Sequence, residues 1–128
     1  MDALTGLKKT VYETLYNLGL NVSNGLPVNE TLPYIQMGDI TFSQGATKDS
    51  FGGGYELTLH VWCNAYEDLT FHEMIETVKD ALIVQGIQLP DGLELGNSRI
   101  TLLTTIKDQL NNTPINHGVI QIEFSILS

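Results

Sequence analysis

Cysteine, basic residues and long apolar runs are all scarce in this sequence. Its 128 residues include one cysteine, Cys63, so no disulfide can form within the chain, and we expect it to be made in a reducing cytoplasm. No apolar run approaches the roughly 18 residues of a membrane-spanning helix, and the first residues lack the pattern of a signal peptide. We therefore expect no membrane partner.

The charge balance is strongly acidic, with 15 acidic residues against 6 basic ones and a formal net charge of −9. Proteins that bind nucleic acid draw on clusters of lysine and arginine, whereas the adjacent basic residues here are Lys8 and Lys9 alone. This argues against specific binding of DNA or RNA. The scattered acidic residues have two open interpretations: a solvated surface that maintains solubility, or a surface past which nucleic acid slides without sticking.

The length and composition fit one globular domain over residues 1–128. Apolar residues make up 42% of the chain, which is typical of folded rather than disordered proteins. A chain of this size buries roughly two thirds of its unfolded surface, so it needs neither a disulfide nor a metal to fold.

Apolar residues at spacings of three and four predict two helices. The first covers Leu4–Leu18, with Asp2 as its expected N-cap and Gly19 as its stop. The second covers Phe71–Gln85, and the preceding Thr-Phe-His-Glu has the pattern of a capping box with Thr70 as the N-cap.

Alternating apolar and polar residues predict strands before and after the second helix. In the clearest of them, Leu57, Leu59 and Val61 share one face, while His60 and Trp62 share the other. The predicted strands are Tyr34–Phe42, Tyr55–Cys63, Arg99–Lys107 and Gly118–Leu127. Residues 21–32, 43–54 and 108–117 are predicted as loops. The order α-β-β-α-β-β predicts an α+β fold, with a mainly antiparallel four-stranded sheet and two helices packed on one of its faces.

Candidates for catalytic chemistry are weak throughout the sequence. His72 resembles the start of a zinc-protease motif, but Glu76 stands where that motif needs its second histidine. His60 and His117 lack ligand spacing, and Cys63 lies on the apolar face of a strand, as expected of an inert buried thiol. We therefore predict no catalytic, cofactor-binding or metal-binding residues, and a protein that is not an enzyme.

Two aromatic residues stand out as candidates for contacts with a partner. Trp62 lies on the polar side of its strand, where it either packs under a loop or helix of its own chain or anchors a subunit interface. Phe51 lies in the glycine-rich loop Ser43–Gly54 and either folds back onto the domain or inserts into a partner. This loop has little apolar surface to offset its ordering entropy, so we predict that it is mobile in an isolated subunit and ordered against a neighbour.

Several segments together resemble one protein family. They are the run PYIQMGD at residues 33–39, a polar loop containing Lys48, the run LTLHVW at residues 57–62, and the helical run VKDAL at residues 78–82. In this order they resemble the small tail-completion proteins, or tail terminators, of long-tailed bacteriophages. Cys63 departs from the small polar residue that usually follows the tryptophan. Lys48, Phe51, His60 and Trp62 are our candidate interaction residues.

The resemblance implies an α+β protein that forms a ring of six copies and caps the head-proximal end of the tail tube. Its implied partners are further copies of itself, the tail tube protein and the head–tail connector, while DNA passes through without specific binding. The implied location is the virion, with no cofactor. Two alternatives stay open: another connector or tube subunit, or a small cellular ligand-binding α+β domain, which would show an apolar pocket with convergent polar groups.

Overall fold

The computed structural model describes residues 2–24, 31–43 and 53–127. Within them, one mixed five-stranded sheet has the strand order β1-β2-β3-β5-β4, and two helices pack against one of its faces. None of the described helices is long and apolar enough to cross a membrane. The elements are α1 (Ala3–Asn17), β1 (Val22–Asn24), β2 (Tyr34–Ser43), β3 (Gly53–Asn64), α2 (Asp68–Lys79, continued by a π-helical turn, Asp80–Val84), β4 (Glu94–Leu110) and β5 (Thr113–Leu127).

The prediction for α1 is confirmed at both ends. Asp2 is the N-cap, and its carboxylate accepts a hydrogen bond of 2.8 Å from the backbone N–H of Thr5. Gly19 follows the helix with a φ of 83°, a left-handed conformation that glycine adopts without strain. Of the apolar residues at this spacing, Leu7, Val11 and Leu15 are buried in the core, whereas Leu4 and Leu18 at the two ends are largely exposed.

The start of α2 differs from the prediction. The helix begins at Asp68 with Glu67 at the N-cap position, so Thr70 lies inside the first turn and the predicted capping box does not form. The reason is tertiary: Asn116 of β5 donates a hydrogen bond of 2.9 Å to the Asp68 carboxylate and 3.2 Å to the Asn64 carbonyl. These contacts hold the chain before Thr70 against the sheet.

The sheet has one strand more than predicted, because β1 lies in the segment 21–32 that was expected to be a loop. It pairs in parallel with β2, with Val22 opposite Ile35. Three residues are too few to show a period of two, so the sequence carried no signal for this strand. The pairing of β2 with β3 shifts between Met37 and Ile40, and this irregularity interrupts the regular pairing of the two strands.

The predicted loop at residues 108–117 is wrong. Instead β4 and β5 form a hairpin joined by the two-residue turn Asn111-Asn112, whose φ angles are 51° and 65°. Positive φ at both central residues is the geometry of a type I′ turn, and asparagine tolerates it better than most residues. Both strands are therefore longer than predicted.

The core lies between the helices and one face of the sheet. Leu57, Leu59, Val61 and Cys63 of β3 are fully buried there, as the alternation predicted. Ile120, Ile122 and Phe124 of β5 lie in the same cluster, together with the apolar stripes of both helices. The opposite face of the sheet carries the candidate interaction residues of β3.

Candidate interaction surface

Four aromatic or imidazole side chains lie together on the sheet face opposite the helices. These side chains, called the aromatic cluster, are Tyr34, His60, Trp62 and His117. The strand register brings them together, because Trp62 of β3 lies opposite Tyr34 of β2 on one side and His117 of β5 on the other. The Trp62 and His117 rings stack with centroids 3.8 Å apart and planes 7° apart. His60 completes the cluster, with its ring centroid 5.0 Å from that of His117.

Trp62 is partly buried by its own chain. Its indole N–H donates a hydrogen bond of 3.2 Å to the side-chain carbonyl of Gln36. Its ring centroid lies 6.3 Å from the ring centroid of Tyr34. Its packing partners therefore include side chains of the two adjacent strands, rather than only a loop or helix above it. A contact between Trp62 or His60 and a neighbouring subunit stays a prediction.

His60 and His117 form a hydrogen-bonded pair that the sequence did not reveal, since 57 positions separate them. The Nδ1 atom of His60 lies 2.8 Å from the Nε2 atom of His117. One ring must donate and the other accept, so the bond is lost when both rings are protonated. The Nδ1 atom of His117 is buried without a hydrogen-bond partner among the described residues, and the Asp108 carboxylate lies 3.8 Å from it.

The environment of this pair disfavours the charged imidazolium forms. Burial lowers the pKa of His60, and the nearby Asp39 carboxylate opposes this only in part. Burial also lowers the pKa of His117, with a further contribution from His60, while Asp108 opposes both. We therefore expect both rings to be neutral at physiological pH.

Metal binding and thiol chemistry have little support in the described part of the chain. No three His, Cys, Asp or Glu side chains there are grouped so that they could hold a metal ion. Burial raises the pKa of the Cys63 thiol above its usual value, which keeps the thiol protonated and unreactive.

A polar region continues the open face beyond the aromatic cluster. Glu56 and Glu123 lie directly opposite each other on β3 and β5, a like-charge pair that would be destabilising alone. The side chains of β4 compensate for it: Arg99 forms an ion pair of 3.1 Å with Glu123, and the Thr101 hydroxyl donates to Glu56 at 2.9 Å.

The strand at one end of the sheet is almost uncovered. Residues 101–109 of β4 are all exposed, and this run is called the β4 edge below. Three of its apolar side chains keep a large exposed fraction: Leu102 with 43%, Leu103 with 41% and Ile106 with 48%. The sequence pattern predicts a strand here but not that it is exposed. Alternation within a strand does not show whether another part of the chain covers that strand.

The β4 edge is fixed to the start of α2 by a polar contact. The Lys107 ammonium lies 3.1 Å from the Asp68 carboxylate and donates a hydrogen bond of 2.6 Å to the Asn116 side-chain oxygen. Hydrogen bonds from Asn116 and Lys107 lower the pKa of Asp68. Lys48 and Phe51, the other two candidate interaction residues, lie outside the described residues, as does most of the loop at 43–54.

Comparisons with known proteins agree with this architecture. No curated protein sequence matches the chain. A chain from the virion of a native gene transfer agent particle has the same fold, with a TM-score of 0.73, 15% identity and 96% of each chain covered. The gp17 protein of bacteriophage SPP1 matches with a TM-score of 0.55 and 22% identity over 94% of this chain and 88% of its own.

A family model places the chain more specifically than these structures do. The model for the tail completion protein gp17 matches residues 7–126, which include α1 from Leu7 onward, all of α2 and the whole described sheet except the last residue of β5. The chain therefore belongs to the tail completion protein gp17 family of bacteriophage virion proteins.

Proposed function

We propose that this protein closes the head-proximal end of the phage tail tube as a ring of six copies. In this role it ends tail growth, offers the surface to which the capsid connector joins, and carries no catalytic activity. The observation that carries the proposal is the family match over residues 7–126. The proposed partners are the tail tube protein, the connector and further copies of the chain.

The geometry of the sheet supports a ring. A closed ring of more than two copies needs a head-to-tail contact between two different surfaces of each subunit. The described sheet ends in two unlike edges, the long strand β4 on one side and the three-residue strand β1 on the other. These edges offer two different surfaces.

The charge of the chain supports passage of DNA without binding. A formal net charge of −9 repels the phosphate backbone, so DNA entering the bore of such a ring would not adhere to it.

Removing the protein from its phage tests the role directly. Without it, we expect tails of irregular length that fail to join capsids, observed by electron microscopy of lysates. Tails of uniform length that still join capsids would contradict the proposal. Purified protein that polymerises into tubes, instead of capping one end of them, would favour the alternative role of a tube subunit.

The candidate anchors are tested by replacing each aromatic residue with alanine. We expect Phe51→Ala and Trp62→Ala to reduce tail completion, since an aromatic residue at an interface hot spot contributes about 2 kcal/mol or more to association. Tyr66→Ala is a matched control, because Tyr66 is 86% exposed and lies outside the aromatic cluster. Thermal unfolding of each variant separates lost assembly from lost stability. Normal tail completion by both Phe51→Ala and Trp62→Ala would show that these residues are not anchors.

A further inference from the structure

The β4 edge combines three properties that are unusual for a strand at the end of a sheet. It is long, it contains no proline, and it exposes apolar side chains. Natural proteins normally protect such strands with short length, proline, bulges or charged side chains, above all lysine, because an open strand edge pairs readily with other chains. The two charged residues of this run contact their own chain instead: Lys107 is held by Asp68 and Asn116, and the Asp108 carboxylate lies 3.8 Å from His117. The register shifts of β4 lie before residue 102, so the stretch from Leu102 to Leu110 pairs regularly with β5.

The exposed side chains of the β4 edge occur on both faces of the sheet. Ile106 lies opposite His117, on the face of the aromatic cluster, whereas Leu103 lies opposite the core residue Ile120. A partner that covers both must wrap around the strand, and it does this most simply by adding a strand of its own to the edge.

The unpaired backbone groups of β4 can be assigned from the hairpin. In a hairpin with a two-residue turn, the flanking pair, here Leu110 and Thr113, exchanges both hydrogen bonds, and every second pair after it does the same. It follows that the N–H groups of Leu103, Thr105 and Lys107 point away from β5. Among the residues that the structure describes, no strand pairs with this outer edge.

We infer that the β4 edge is the docking edge at which a second copy of this chain adds its backbone to the sheet. This inference rests on the proposed ring. Two β4 edges pairing with each other would give a two-fold dimer, so in a ring β4 meets a different surface of the next copy.

Charge and size both favour a second copy as the occupant. Within the β4 edge, Lys107 and Asp108 balance each other, so this stretch is neutral in a chain of net charge −9. Two acidic copies therefore approach there with little local repulsion. Nine residues at about 3.4 Å each form an edge about 30 Å long, which is long enough for a whole strand of a second copy to pair along it.

The test removes one outward N–H while leaving the hairpin intact. Thr105→Pro deletes a donor that points away from β5, a position where edge strands tolerate proline, and Thr105→Val is the matched control that keeps the donor. We expect Thr105→Pro to weaken self-association about tenfold or more, and Thr105→Val to leave it unchanged, as measured by sedimentation and by electron microscopy of rings.

A side-chain variant keeps the test decisive if the proline affects folding. Ile106→Thr removes exposed apolar surface while keeping a β-branched residue, so we expect weaker self-association with an unchanged melting temperature. If the wild-type protein forms rings, and Thr105→Pro and Ile106→Thr form them at the same concentration, the docking edge is overturned. The proposed ring would still stand. A wild-type protein that stays monomeric both alone and with tail tubes would overturn the ring itself, and the docking edge with it.

Discussion

Leu59→Ala is expected to lower the free energy of unfolding by about 2–5 kcal/mol, the range for removing a large aliphatic side chain from a packed core. Leu59 is fully buried at the middle of β3, with Met37 of β2 on one side and Ile120 of β5 on the other. A cavity there weakens the packing of the core cluster, to which β2, β5 and both helices contribute. Urea-induced unfolding of the two proteins gives the difference.

Leu69→Ala is the matched control for this prediction, because it makes the same change on the surface. Leu69 lies in the first turn of α2 and is 73% exposed, so we expect a change in unfolding free energy within about 0.5 kcal/mol. Equal losses in the two variants would show that β3 does not form the centre of the core.

The second large effect is a loss of stability in mild acid, caused by the pair of His60 and His117. The pKa of each is lowered by burial from its ordinary value of 6.5, so below about pH 6.5 the unfolded chain binds protons that the folded protein does not. The stabilisation that this neutral pair contributes is therefore fully present above pH 6.5. It is lost as the pH falls toward the pKa values of the two histidines in the folded protein. The slope approaches about 1.4 kcal/mol per pH unit for each proton taken up.

Asp2 and Asp68 act in a lower pH range and do not obscure this effect. The pKa values of Asp2 and Asp68 are lowered from 3.8, so their contribution to stability is lost mainly below that pH. Replacing His117 with glutamine keeps a polar side chain but removes one titrating ring and its coupling to His60. We expect His117→Gln to flatten the dependence of unfolding free energy on pH between 6.5 and 5.

Trp62 provides an independent measurement of the same titration. It is the sole tryptophan in the sequence and stacks on His117, and a protonated imidazole in contact with an indole quenches its fluorescence. We expect the fluorescence of the folded protein to fall at an apparent pKa below 6.5, and the change to disappear in His117→Gln. An unchanged transition in that variant would assign the titration to another group.

The local elements were largely predictable from the sequence. The apolar spacing of α1 and the alternation of β3 follow from burial of one face, and each is complete within about ten to fifteen neighbouring residues. Two of the errors have local causes too: β1 is too short to show a period, and the turn at Asn111-Asn112 was obscured by the polar residues around it. The start of α2 was placed wrongly because Asn116, far away in sequence, holds the chain ahead of Thr70.

The sequence by itself determined the α+β class, the buried faces of the helices and of β3, and the resemblance to tail-completion proteins. Only the tertiary structure decided that His60, Trp62 and His117 lie together, and that the β4 edge is uncovered. The physical reason is that periodicity records which face of an element avoids water, whereas strand register and edge exposure depend on contacts between distant segments. A two-residue shift between β3 and β5 would keep the buried face of each strand and every local pattern, and would still separate Trp62 from His117.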